Sequence, residues 1–175
     1  SIHRRHAINW YNAGDLRGAI NHFEKANKLT PDSKELSSQL ASVYFAFATQ
    51  MDRQEMKGVA MDHYRKGLVI DPSNNAARNN LAWNLATSAS QNLRNAEEAL
   101  IVATKLNADT GNKVPQVLDT LAAAQAANGQ FTKATQSAEM AISELKNNSK
   151  LKQTIQNRLN LYKNGKAFLQ STNKE

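Results

Sequence analysis

A spacing that keeps returning limits the fold of this sequence more than any other feature. In the stretch NAGDLRGAINHFEKANKLTP, residues 12–31, Gly14 is followed by Ala19, Phe23, Ala26 and Pro31 at offsets of 5, 9, 12 and 17. Gly129 is followed by Ala134, Ala138 and Ala141 at offsets of 5, 9 and 12. Ala60 leads to Tyr64, Gly67 and Pro72 after 4, 7 and 12 residues, as Ala19 leads to Phe23, Ala26 and Pro31. A further copy reads Ala96, Leu100, Ala103 and lacks the Pro. Pro31 and Pro72 are each followed after 10 residues by an alanine, Ala41 and Ala82, inside an apolar helical pattern. Side chains three, four and seven positions apart share one face of an α-helix. Small residues at fixed points on such a face let two helices approach closely, and Gly and Pro mark the turns between them. The chain therefore reads as a series of helical hairpins.

Composition agrees with helix. Only 3 Pro and 7 Gly occur in 175 residues, and Ala, Leu, Asn, Gln and Lys dominate over β-branched and aromatic types, which disfavours sheet. The length suits one domain. No apolar run approaches the roughly 18 residues that span a bilayer, and no stretch resembles a signal peptide. With no Cys, disulfides and thiolate metal sites are excluded. The first residue is Ser and the helical pattern begins almost at once, so the chain is expected to be a piece of something longer.

Little in the sequence suggests catalysis. His3 and His6 are three apart, a spacing that can hold a metal, but no carboxylate completes the set. His22 and His63 fall at one repeat position, just before Phe23 and Tyr64, which is a structural equivalence. Glu97 and Glu98 are adjacent and point about 100° apart on a helix, so they cannot face each other as an acid and base. There is no phosphate loop, nucleophile elbow or zinc signature. The expectation is a non-enzyme with no cofactor and no metal.

Hairpins recurring at a period of about 34 residues, with small residues where helices touch and Pro after the second helix, characterise one repeat architecture. On these residues the sequence resembles the tetratricopeptide repeat (TPR) family, in a bacterial form: NNLAWNLATSAS, VLDTLAAAQAANGQFTKATQSAEMAI and RLNLYKNGKAF follow one another in that order. The resemblance implies an all-α, right-handed α-solenoid. It would form a single domain, residues 1–175, with four helix-turn-helix repeats at about 1–33, 34–73, 74–112 and 113–145, then a capping helix and tail, 146–175. It also implies the C-terminal part of a larger bacterial protein, sometimes exported or membrane-attached.

Within the repeats, Ala7, Ala41, Ala82 and Ala122 would mark the packing point of each first helix. Ala19, Ala60, Ala96 and Ala134 would mark that of each second helix, with Trp10, Phe23, Tyr44, Tyr64 and Leu100 filling the space around them. Ala41 to Ala60 exceeds the 12-residue interval of Ala7 to Ala19 by seven, about two helical turns, so YFAFATQMDRQEM should lengthen one or both helices of repeat 2. SASQNLRN should be a longer loop in repeat 3. In the last segment, Leu151, Ile155, Leu159 and Tyr162 form one stripe, with Asn148 or Ser149 to cap the start and Gly165 to end the helix. Such a helix would cover the apolar face of the last repeat, leaving its lysines in solvent.

In this family the first helices line a concave face that holds the ligand. The corresponding positions are Arg4, Arg5 and Tyr11 in repeat 1, Ser38, Gln39, Ser42 and Phe45 in repeat 2, Asn79, Asn80 and Trp83 in repeat 3, and Asp119 in repeat 4. Amides, hydroxyls and aromatics in that mixture suit an extended peptide of varied sequence. Several also suit structural work: an Asn pair can cap a helix, Trp83 can fill the core, and Asp119, shortly after Pro115, can serve a helix N-terminus. The family's carboxylate-gripping arrangement of Lys and Asn, then Lys and Arg, is replaced by Arg4, Ile8, Asn79 and Trp83.

The expected partner is thus a protein or peptide, with no membrane insertion. The alternative is an accessory or substrate-docking domain of a larger enzyme. Nucleic-acid binding would need basic charge along the groove. The net charge of +7 lies almost wholly in residues 146–175, which hold seven Lys or Arg and one Glu.

Overall fold

The computed structural model describes residues 2–145 and 149–171, and the chain divides into two compact units, residues 1–77 and 78–175. The described residues with regular structure are all helical.

The first unit contains α1 (Ile2–Asn12), α2 (Leu16–Leu29), α3 (Lys34–Arg53) and α4 (Lys57–Ile70). Each helix packs on the next in sequence. The small residues of the repeat are the points of closest approach: Ala7, Ala19, Ala26 and Ala60 are fully buried and Ala41 nearly so. Phe23, Tyr44 and Tyr64 are buried around them. Trp10, expected beside them, is 44% exposed; it lies over the backbone of Gly18, 3.1 Å from where a Cβ would stand. Gly67 is required for packing, because a Cβ there would come within 2.3 Å of the Phe45 ring.

Local chemistry sets the helix ends. Asp15 and Ser33 accept hydrogen bonds from the backbone N–H groups of Gly18 and Leu36, at 2.8 and 3.3 Å, satisfying donors that a helix start leaves unpaired. The hairpin turn needs one residue in the left-handed region, which Gly14 supplies at φ +81°. Glu55 takes the same place five residues before Ala60, at φ +59°. The bond that closes the turn is alike in both, from Asp15 N–H to the Trp10 carbonyl and from Met56 N–H to the Met51 carbonyl. The seven extra residues lengthen α3 alone, to 20 residues, while α4 keeps 14. The added turns bury Phe47, Ala48 and Met51.

In the second unit, α5 (Asn75–Thr87), which begins before the division, is followed by a 3₁₀ turn (Gln91–Leu93) and then α6 (Ala96–Asp109), α7 (Pro115–Ala127), α8 (Phe131–Glu144) and α9 (Ser149–Lys163). SASQNLRN is the loop that its polar residues suggest, with the 3₁₀ turn inside it. Repeat 3 requires a correction. The counterpart of Ala19, Ala60 and Ala134 is Ala99, not Ala96. Ala99, Ala103 and Leu106 are fully buried and repeat the 4- and 7-residue steps of Ala19, Phe23 and Ala26. Ala96 and Leu100 are half-buried, because Asn95 caps α6, accepting from Glu98 N–H at 3.0 Å, and puts Ala96 in its exposed first turn.

Helix α7 packs between α6 and α8, and α8 packs on α9. Ile155, Leu159 and Tyr162 of α9 join Leu118, Ala122, Ala126, Ala134, Ala138 and Ala141 in one buried cluster, with Leu151 at its margin. Lys150, Lys152 and Lys163 face solvent. Gly165, at φ +65°, ends the helix in a Schellman turn: its N–H bonds the Tyr162 carbonyl and that of Lys166 bonds the Leu161 carbonyl. Of the two caps expected, Asn148 lies outside the described residues and Ser149 is the first residue of α9.

Candidate functional site

On the first unit, residues of α1 and α3 line an open cleft of about 260 Å³. Ile8 and Tyr11 form one wall, Ser38, Gln39 and Ser42 the other, over Phe23 and Val43. Tyr11 is 46% exposed and Ile8 38%, so apolar surface remains open beside hydroxyl and amide groups. The rim is braced. Arg4 of α1 donates through Nε to Gln39 Oε1 at 3.3 Å and is ion-paired with Glu35. Arg5 is exposed on α1. Ser42 donates back to the Ser38 carbonyl at 3.0 Å. Phe45, one turn further on, is half-buried against Gly67. Two other hollows, about 700 and 450 Å³, involve Asp32 of the α2–α3 turn, Lys34 and Tyr44 of α3 and Lys66 of α4.

On the second unit, Asn79, Asn80 and Trp83 of α5 are half-buried, and Asn79 Oδ1 has no hydrogen-bond partner. Trp83 meets two groups from the C-terminal part of the chain. The Arg158 guanidinium lies 5.0 Å from its ring centre and the Phe168 ring 5.8 Å from it. Asp119, placed among the groove residues by its register, is only 6% exposed. Arg158 grips it with both arms of the guanidinium, Nε reaching Oδ1 at 3.0 Å and Nη2 reaching Oδ2. Helix α9 has brought the arginine there, so Asp119 is closed to an incoming ligand. Burial raises the Asp119 carboxyl above the usual carboxylate range, and the Arg158 charge acts against that rise. Burial likewise pushes up the Tyr162 hydroxyl.

Sequence reasoning missed Arg158, Phe168, Thr87 and Gln170. One signal for Arg158 was present: it sits between Ile155 and Leu159 on the apolar stripe of α9, where an arginine must find a carboxylate or be stranded. Nothing local marks the other three.

His3, His6 and His22 bring their rings together in tilted and edge-on contacts. The His22 ring lies 5.8 Å from that of His3 and 5.4 Å from that of His6. Burial, together with the charges of His6 and Lys25, lowers the pKa of His22, which favours the neutral ring. Among the described residues no group of three or more His, Asp or Glu is placed to hold a metal ion, and no helix is long and apolar enough to cross a membrane.

No family model matches the sequence, and no curated protein matches it. Solved structures do. The chain is similar to the MamA protein, with a TM-score of 0.54 and 20% identity over 82% of this chain and 71% of that one. It is also similar to the TPR domain of P58(IPK), with a TM-score of 0.54 and 14% identity over 93% of this chain and 55% of that one. The chain thus spans about half the length of the latter. These likenesses show the fold: the described residues form an all-helical repeat structure like that of TPR proteins.

Proposed function

We propose that this protein is a non-catalytic interaction module that binds a protein partner through an extended peptide, held on the inner faces of its first helices. The cleft between α1 and α3 carries the reading. It offers open apolar area from Ile8 and Tyr11 together with Ser38, Gln39 and Ser42, whose hydroxyl and amide groups can bond a peptide backbone whatever its side chains. Tyrosine at such a site gives contact area at small entropic cost.

The partner should be isolated with the wild-type chain and titrated against Tyr11→Ala/Ser42→Tyr. The first change removes apolar area and the second fills the cleft, so affinity should fall about ten-fold or more, a loss of roughly 1.4 kcal/mol. Both positions are exposed, and such changes usually stay within about ±0.5 kcal/mol of wild-type stability. Equal affinity in a folded variant would remove this cleft from the function.

A further inference from the structure

Residues 166–171, KAFLQS, are not part of a helix. They follow the Schellman turn at Gly165 without regular secondary structure and are held at two points. Phe168 is half-buried, its ring 5.8 Å from the Trp83 ring and 5.4 Å from the Arg158 guanidinium. Gln170 binds the end of α5 three times. Its backbone N–H donates to the Thr87 carbonyl at 2.8 Å, and its side-chain amide donates to Thr87 Oγ1 at 2.8 Å and to Asn84 Oδ1 at 3.4 Å. Asn84 and Thr87 are fully buried, and Thr87 Oγ1 is itself fixed by donating to the Trp83 carbonyl at 2.7 Å. The intervening Leu169 is 48% exposed, and Lys166 and Ala167 face solvent. Alternate residues therefore point in and out, as in an extended peptide bound by pockets for every second side chain.

We propose that this face of α5 and α9 is a binding site for an extended segment reading aromatic, any residue, glutamine, and that residues 166–171 occupy it in cis. The chemistry is portable. An aromatic ring gains from stacking on Trp83 and from the Arg158 cation. A glutamine one residue beyond the spacer donates to the helix-end carbonyl of Thr87 and to the buried Thr87 and Asn84 side chains, and each such bond adds to affinity. A protein partner carrying Phe-x-Gln in extended form presents the same two anchors and must displace the chain's own. The inference rests on the reading of the protein as a peptide-binding module, but it concerns a different face from the α1–α3 cleft.

The probe is the peptide GKAFLQS, fluorescently labelled and titrated against the full chain and against the full-chain variant Phe168→Ala/Gln170→Ala. Tethering gives a segment an effective concentration on the order of millimolar, so the wild-type chain should bind the probe about ten-fold or more weakly than the variant. GKAALAS should bind neither. A folded variant that binds GKAFLQS no better than GKAALAS would overturn the proposal. A second readout uses the unaltered chain: millimolar GKAFLQS should speed hydrogen exchange at the Gln170 amide, and an unchanged rate would equally overturn it. Tyr11→Ala/Ser42→Tyr should leave the affinity of the Phe168→Ala/Gln170→Ala variant for GKAFLQS unchanged, so failure of the α1–α3 cleft is read separately from failure here. An affinity that falls with those two changes would contradict a site confined to α5 and α9.

Discussion

Asp119→Ala should destabilise the second unit by about 3–5 kcal/mol, a large share of the 5–15 kcal/mol that a domain typically has. The reason is the partner it abandons. Arg158 is 6% exposed and takes both oxygens of Asp119, so the substitution leaves a guanidinium in a largely dry site with no carboxylate. The sum of the two single effects should not be reached in the pair. In Asp119→Leu/Arg158→Met neither charge remains, and replacing both partners of a buried ion pair is often neutral or stabilising. Urea unfolding followed by circular dichroism measures each. A loss below about 1 kcal/mol for Asp119→Ala would show that water reaches the pair, since exposed pairs contribute about 0–1 kcal/mol.

Leu159→Ala should cost about 2–5 kcal/mol, the range for deleting a buried leucine side chain. Leu159 is 3% exposed and lies in the cluster that α9 forms with Leu118, Ala122, Ala126, Ala138 and Ala141. Those alanines have no reach of their own, so the space that Leu159 leaves cannot close around them. Lys152→Ala on the solvent side of the same helix should stay within about ±0.5 kcal/mol. Ending the chain after Leu145 carries the effect further, because the whole apolar face of α7 and α8 is then opened, at roughly 25 cal/mol per Å² of apolar surface. Aggregation or a clear fall in melting temperature is the expected result. A soluble truncated chain with unchanged melting would show that α9 does not hold the unit together.

The fold was legible where one residue type recurs under one constraint. Ala7, Ala41, Ala82 and Ala122 could be read from spacing because helices that touch at a fixed point tolerate only small side chains there, and all four are buried. The same rule misplaced repeat 3. Ala96 and Ala99 are three apart, hence on nearly the same helical face, and without a closing Pro nothing fixes the register; the longer loop and the Asn95 cap decide it. Trp10 is expected in the interior but stays 44% exposed in the last turn of α1, where it covers Gly18. For the candidate site, register was enough to gather Tyr11, Ser38, Gln39 and Ser42 around one cleft. It could not reveal Asp119 as buried, because its partner is 39 residues away. Nor could it reveal the anchoring of Gln170, which depends on Asn84 and Thr87, 86 and 83 residues earlier.

The claim that the inner faces of the first helices hold the partner is tested most directly by site-specific photo-crosslinking in the cells that make the protein. A benzophenone amino acid placed at Ser42, in the α1–α3 cleft, should yield a discrete adduct with another protein. The same group at Val69 or Ile101, 85% and 63% exposed on second helices, should yield none. Adducts from positions 69 or 101 and none from position 42 would contradict the account and move the partner to the opposite side of the hairpins.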